Sequence, residues 1–259
     1  MSEPPAPLVG DRQVLGPLHL RVLEVVAAVE REYEGELGLR LEGGTALAAY
    51  HLRHRESADL DVFAALGFNA LDFAFRLDER LHGLGLRVTR PGPWNEGFAE
   101  LVVAAPQVGV RPLRVQLARS SPFQLAPSVL TAEGVRVASY RDLCAGKFHA
   151  ICDRFEPRDF IDLHAILHEP LTGPPIPEAT LRDRFRALIR DLTASDAGLT
   201  LPVIGPCLER GTRGRLVSGF PLALLVPIRD DEVAATVTLC CDELARMVAA
   251  EWQRRGPRT

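Results

Sequence analysis

The sequence predicts an α+β fold (mixed α/β), a sheet flanked by helices and followed by a mainly helical C-terminal part. Three observations predict it. Short apolar runs of strand character crowd the first half, at residues 39–42, 58–64, 84–89, 99–104 and 113–117. Helical patterns dominate from Pro127 onward. A glycine pair, Gly43-Gly44, stands where a strand hands over to a helix.

Taken in order, residues 18–33 carry Leu18, Val22, Val25, Val26 and Val29 at spacings that share one helical face, and Gly35 and Gly38 break the pattern. A short strand at 39–42 stops at the glycine pair. Thr45 is expected to start a helix through Leu52, because a threonine hydroxyl can cap free backbone amides. Residues 58–64 read as a buried strand, and 68–82 as an amphipathic helix ended near Gly83 and Gly85. Strands at 84–89, 99–104 and 113–117 follow, with Pro91-Gly92-Pro93 turning the chain between the first two. Helices are expected at 140–154, 158–168, 179–192 and 231–252, and the proline-rich 169–177 as a connector. The division drawn is a core at 12–125 and a helical domain at 126–259.

Composition sets the class. Of 259 residues, 47% are hydrophobic and 25% charged, ordinary globular values with ample material for a core. A net charge of −4 and a pI near 6.0 argue against non-specific binding to a nucleic-acid backbone, although local basic clusters could still serve a nucleic-acid substrate. Residues 1–11, with Pro4, Pro5 and Pro7, read as a loose tail without the basic start and apolar run of a signal peptide. The longest apolar stretch, 221–228, falls well short of the roughly 18 residues that span a bilayer. Five cysteines without regular spacing suggest reduced thiols and a cytoplasmic protein.

The chemistry is concentrated in Glu42-Gly43-Gly44-Thr45 and in His54-Arg55-Glu56-Ser57-Ala58-Asp59-Leu60-Asp61-Val62-Phe63. Two glycines at a strand-to-helix turn let the backbone approach a ligand closely, and a helix N-terminus suits phosphate oxygens. Alone, such a triplet is an ordinary turn. Asp59 and Asp61 change its meaning, because side chains two apart on a strand share a face with roughly 6.5–7 Å between Cα atoms. Two like charges so placed repel unless a cation lies between them, and Mg²⁺ favours carboxylates together with substrate phosphates.

These segments resemble the AbiEii/AbiGii toxin family of nucleotidyltransferases, within the DNA polymerase β-like superfamily. The resemblance rests on the Gly-Gly-Thr turn, the His-Arg-x-Ser loop and the Asp-x-Asp-x-Phe strand. It resumes at Lys147, Arg154 and Arg158-Asp159-Phe160-Ile161-Asp162-Leu163, so that it covers roughly residues 38–168. It implies that Gly43, Gly44, Thr45 and Ser57 help hold a nucleoside triphosphate (NTP), that Asp59 and Asp61 bind Mg²⁺ or Mn²⁺, and that Lys147 neutralises phosphate charge. Arg154 and Asp159 would complete the nucleotide pocket, with the helical domain contributing Lys147 and Arg154. It further implies transfer of a nucleoside monophosphate (NMP) to a hydroxyl of RNA, a tRNA end included, or of a protein, and a toxin restrained by an antitoxin partner in phage defence or growth control.

One position departs from the family pattern. The superfamily usually places a third aspartate on a neighbouring strand, where this chain carries Gln116. A glutamine can offer a carbonyl to a cation but cannot act as a base. Slow transfer with substrate or water taking the proton, recruitment of Glu100, and nucleotide binding without catalysis all fit the sequence. The last reading makes the protein a weakened NTP-binding or interaction module. His164 and His168, four apart on a helix, lack the third ligand of a zinc site. Arg182, Arg184, Arg186 and Arg190 read as a solvated basic face, with RNA contact as the alternative.

Overall fold

The computed structural model describes residues 6–33, 37–64, 67–107, 109–119, 123–213, 216–218 and 222–255. Pro4, Pro5, Gly35 and Pro221 lie outside the described residues. The chain forms two compact units, Met1–Leu143 and Cys144–Thr259.

The first unit is built on a seven-stranded sheet. Its strands are β1 (Arg40–Glu42), β2 (Asp59–Ala64), β3 (Arg87–Thr89), β4 (Phe98–Ala104), β5 (Leu113–Arg119), β6 (Val129–Leu130) and β7 (Arg136–Val137). Their spatial order is β3-β4-β5-β2-β1-β7-β6. The central pair β2 and β5 runs parallel, as does β1 with β7, and the other neighbours are antiparallel. Alternation divides the faces: Leu60, Val62, Leu101, Val103, Val115 and Leu117 are buried, whereas Asp59, Asp61, Glu100 and Gln116 stay half-exposed.

Helix α1 (Pro17–Glu32) packs on α3 (Ala70–Gly83), which lies against β3, β4 and β5. Asn69 caps α3, its side chain accepting from the Leu71 and Asp72 amides at 3.1 and 3.2 Å. The strand expected at 84–89 is confined to Arg87–Thr89, because α3 runs to Gly83 and the Leu84 amide still bonds back to Arg80 and Leu81. Strands β6 and β7 have no counterpart in the sequence reading. The expected loose tail is pinned from Leu8 onward. Its amide donates to Leu130 O at 3.0 Å, and its carbonyl accepts from the Ala132 amide at 2.7 Å.

Helices make up the second unit. It holds most of α4 (Tyr140–Asp153), then α5 (Pro157–Leu167), α6 (Glu178–Ser195), α7 (Leu201–Glu209) and α8 (Asp230–Arg255). Helix α8 packs on α5, α6 and α7. Phe148, Phe160 and Phe185 are fully buried, with Phe148 and Phe185 edge to face at 5.9 Å. The sequence reading missed α7, whose Pro202, Gly205 and Pro206 look like helix breakers.

The basic stretch on α6 is not a free solvated face. Arg182 and Arg186 grip Glu243, which is 1% exposed, at 3.1 and 2.6 Å. Arg184 donates to the carbonyls of Leu167 and Glu169 at 2.8 and 2.5 Å, which satisfies groups at the end of α5. All five cysteines are free thiols. Among the described residues no helix is long and apolar enough to cross a membrane.

Candidate functional site

Strand β1 ends at Glu42, and the chain turns at once into α2 (Gly43–Leu47), which continues as a π-helical turn over Ala48–Leu52. The helix therefore starts two residues before Thr45, and Thr45 does not cap it. Its buried hydroxyl instead donates to the backbone carbonyl of Asp59, tying the first turn of α2 to the start of β2.

Gly43 has φ +72°, in the left-handed region that favours glycine. A Cβ on Gly43 would lie 1.8 Å from Asp61 Oδ2 and 2.7 Å from its Cγ. The Asp61 carboxylate thus occupies the space that a side chain at Gly43 would need. Glycine is required here twice, once by backbone angle and once by the neighbour. Gly44 is buried beside it, and Ser57 stands half-exposed two residues before Asp59.

Register extends the site across the sheet. Glu42 pairs with Asp61, Asp61 with Gln116, and Gln116 with Glu100, so four polar side chains form one row over β1, β2, β5 and β4. Gln116 Nε2 donates to Glu100 Oε2 at 2.8 Å, and Arg114 approaches Glu100 at 3.8 Å. Glu100 lies two strand spacings, roughly 9.5 Å, from the Asp61 position. Its carboxylate is bonded to the glutamine.

Two residues at the site have no role assigned by the sequence, Glu42 and His19. Glu42 accepts from Arg40 Nε at 2.6 Å, and burial pushes its carboxyl pKa up. Arg40 opposes that shift, while the charges of Asp142 and Asp61 reinforce it. His19 of α1 reaches the backbone of Ser57. Burial holds its pKa down, against that hydrogen bond and the charge of Asp59. Neither carries a sequence signal, since strand pairing and helix packing bring them in.

The second unit assembles its own polar cluster. Lys147 Nζ lies 3.3 Å from Asp159 Oδ1 and 2.9 Å from Asp162 Oδ2, and both carboxylates are 0% exposed. Arg154 Nε meets Asp159 Oδ2 at 3.3 Å from a position just beyond the end of α4. Lys147 is therefore a buried lysine held by two acids rather than a solvated one. The structure brings Lys147, Arg154, Asp159 and Asp162 together within this unit, and Gly43, Gly44, Thr45, Asp59 and Asp61 together within the first.

Asp59 and Asp61 suit a cation that takes its remaining ligands from water and phosphate, as Mg²⁺ does. Among the described residues no three His, Cys, Asp or Glu side chains converge as a preformed metal site.

Comparison with known proteins adds a family. Residues 28–202 match the family described as nucleotidyl transferase AbiEii toxin, type IV TA system. The chain is similar in structure to MenT4, the nucleotidyltransferase toxin Rv2826c from Mycobacterium tuberculosis H37Rv. The TM-score is 0.54 at 19% identity, over 87% of this chain and 82% of that one. It is also similar to JHP933 from Helicobacter pylori, with TM-score 0.48 and 15% identity over 95% of this chain and 99% of that one. The likeness to MenT4 shows a shared fold. No curated protein matches the sequence.

Proposed function

The chain belongs to the AbiEii family of nucleotidyltransferase toxins, and from that premise we propose that it moves an NMP from an NTP to a hydroxyl of RNA, a tRNA end included, or of a protein. The reaction depends on Mg²⁺ or Mn²⁺. The acceptor oxygen bonds to the α-phosphorus, the bond to the β-phosphate oxygen breaks, and pyrophosphate leaves. A divalent cation would neutralise phosphate charge and align the reacting oxygens. Asp59 and Asp61 would hold it, while Gly43 and Gly44 would offer backbone amides to the triphosphate. Family resemblance adds Ser57 to the triphosphate site. Thr45 contributes by fixing α2 to β2, its hydroxyl being committed to Asp59. Family resemblance alone assigns phosphate neutralisation to Lys147 and the completion of the pocket to Arg154 and Asp159. The same family membership supports an antitoxin protein as partner.

The observation that carries this reading is the Asp61 carboxylate lying against Gly43. Incubation with labelled NTPs, Mg²⁺ and total RNA or protein tests it. Label transfer should appear and fall by roughly 100-fold or more in Asp61→Ala. Transfer that survives in the variant would rule the site out.

A second reading, an NTP-binding module with weakened catalysis, is favoured by Gln116, which faces Asp61 in register and is bonded to Glu100. Gln116→Asp separates the two. A gain in transfer shows that the missing carboxylate limits the enzyme, whereas binding without transfer in both forms supports the module.

A further inference from the structure

The second unit contains a cavity of about 390 Å³, remote in sequence from the glycine turn and walled by α5, the 169–177 connector, α6 and α8. We propose that this cavity binds a small, mainly apolar molecule, neutral or singly cationic, that donates hydrogen bonds through N–H groups.

Hydrogen-bond accounting leads to that class. His164 and His168 line the cavity, stacked with ring centroids 4.3 Å apart. His164 Nδ1 and His168 Nε2 both meet Thr236 Oγ1, at 2.8 and 3.0 Å. Thr236 has a single hydroxyl proton, which it donates to Glu232 O at 3.0 Å. With that proton on Glu232 O, both imidazoles donate to the hydroxyl. In neutral His168 this leaves Nδ1 as an acceptor, and no described residue bonds to it. Burial and the nearby Arg184 charge favour the neutral ring, against the pull of Glu232.

The other polar group on the wall is the Glu232 carboxylate, an acceptor that also takes the Arg229 amide at 2.9 Å and pairs with the Arg229 guanidinium at 3.4 Å. Among the described residues no lysine or arginine lines the cavity, and the nearby Arg184 and Arg229 are already engaged by carbonyls and carboxylates, so a phosphate or carboxylate would find no uncommitted counter-charge. Prolines, leucines and isoleucines make up most of the remaining surface, and the volume lies within the usual range for small-ligand pockets. A largely apolar, half-open pocket whose polar groups accept hydrogen bonds asks its occupant to bring the protons.

Proton–carbon NMR of the histidine Cε1–H groups in the full chain tests this, with His168→Gln identifying the His168 signal. Indole serves as the neutral donor and benzamidine as the cationic one. Toluene lacks a donor, and benzoate and inorganic phosphate are anions. A saturable shift of the His168 resonance with indole or benzamidine is expected, roughly tenfold tighter than with toluene, benzoate or phosphate. Ala235→Phe, at an exposed position on the cavity wall, should weaken it by about tenfold while the remaining spectrum stays dispersed. Absence of a saturable shift with both donors at about 10 mM overturns the proposal. So does equal binding of toluene or an anion, or binding indifferent to Ala235→Phe in a folded variant.

Discussion

Gly43 is the residue on which the candidate site turns, and its requirement can be measured. Gly43→Ala meets a left-handed backbone costing about 1–2 kcal/mol and a collision with Asp61 costing about 1–3 kcal/mol more. Urea unfolding should show a loss in that combined range. In an Asp61→Ala background only the backbone part remains, so the loss should shrink to about 1–2 kcal/mol. An equal loss in both backgrounds would mean that the carboxylate does not lie over the glycine. Much at this scale was legible in the sequence. Asp59 and Asp61 share a face because strand side chains alternate, whatever the partner strand. Thr45 was misread, since its acceptor is a carbonyl fourteen residues away, and a local cap is all that sequence spacing can suggest. Glu42 opens the glycine stretch, but only the pairing of β1 with β2 sets it beside Asp61.

At the scale of elements, Lys147 ties α4 to α5 by reaching two carboxylates in the first turns of α5. Lys147→Ala leaves Asp162 without this cation and Asp159 with Arg154 alone of its two. Breaking a buried pair in this way costs about 3–5 kcal/mol. Thermal unfolding of the variant should fall accordingly, and lost transfer activity must be compared with that fall. A Tm close to the parent's would show that the cluster is hydrated and the pairing weak. Elements with strong periodicity, α1, α3, α5, α6 and α8, were visible in the sequence. Strands β6 and β7 span two residues each, too few to show alternation. Helix α7 was hidden by two prolines, of which Pro202 occupies the first turn, where its missing amide costs nothing.

Across the molecule, buried titratable groups govern the response to pH. His168 has a folded pKa below the ordinary histidine value of 6.5 because burial disfavours its charged form. Between those two values the unfolded chain binds more protons, so stability is present above pH 6.5 and declines as pH falls below it. Melting from about pH 7.5 to about pH 5.5 should show this decline, and His168→Gln should reduce it, with buried His19 supplying the remainder. An unchanged slope in the variant would assign acid sensitivity to other groups. Glu243 acts in the same direction lower down. Burial opposes its ionisation, but the bonds from Arg186 and Arg182 prevail and hold its pKa below 4.5, so its contribution disappears only as pH falls below that value.

The amino-acid sequence by itself determined the order of β1 to β5, of α1 to α6 and of α8, together with the glycine turn and the same-face placement of Asp59 and Asp61. These depend on contacts a few residues apart and on the fixed periods of strand and helix. Tertiary structure alone decided that Asp61 rests on Gly43, that Gln116 and Glu42 flank it, and that Lys147 is buried between two acids. Each joins segments distant in the chain, and strand register and helix packing are settled only when the buried faces close on one another.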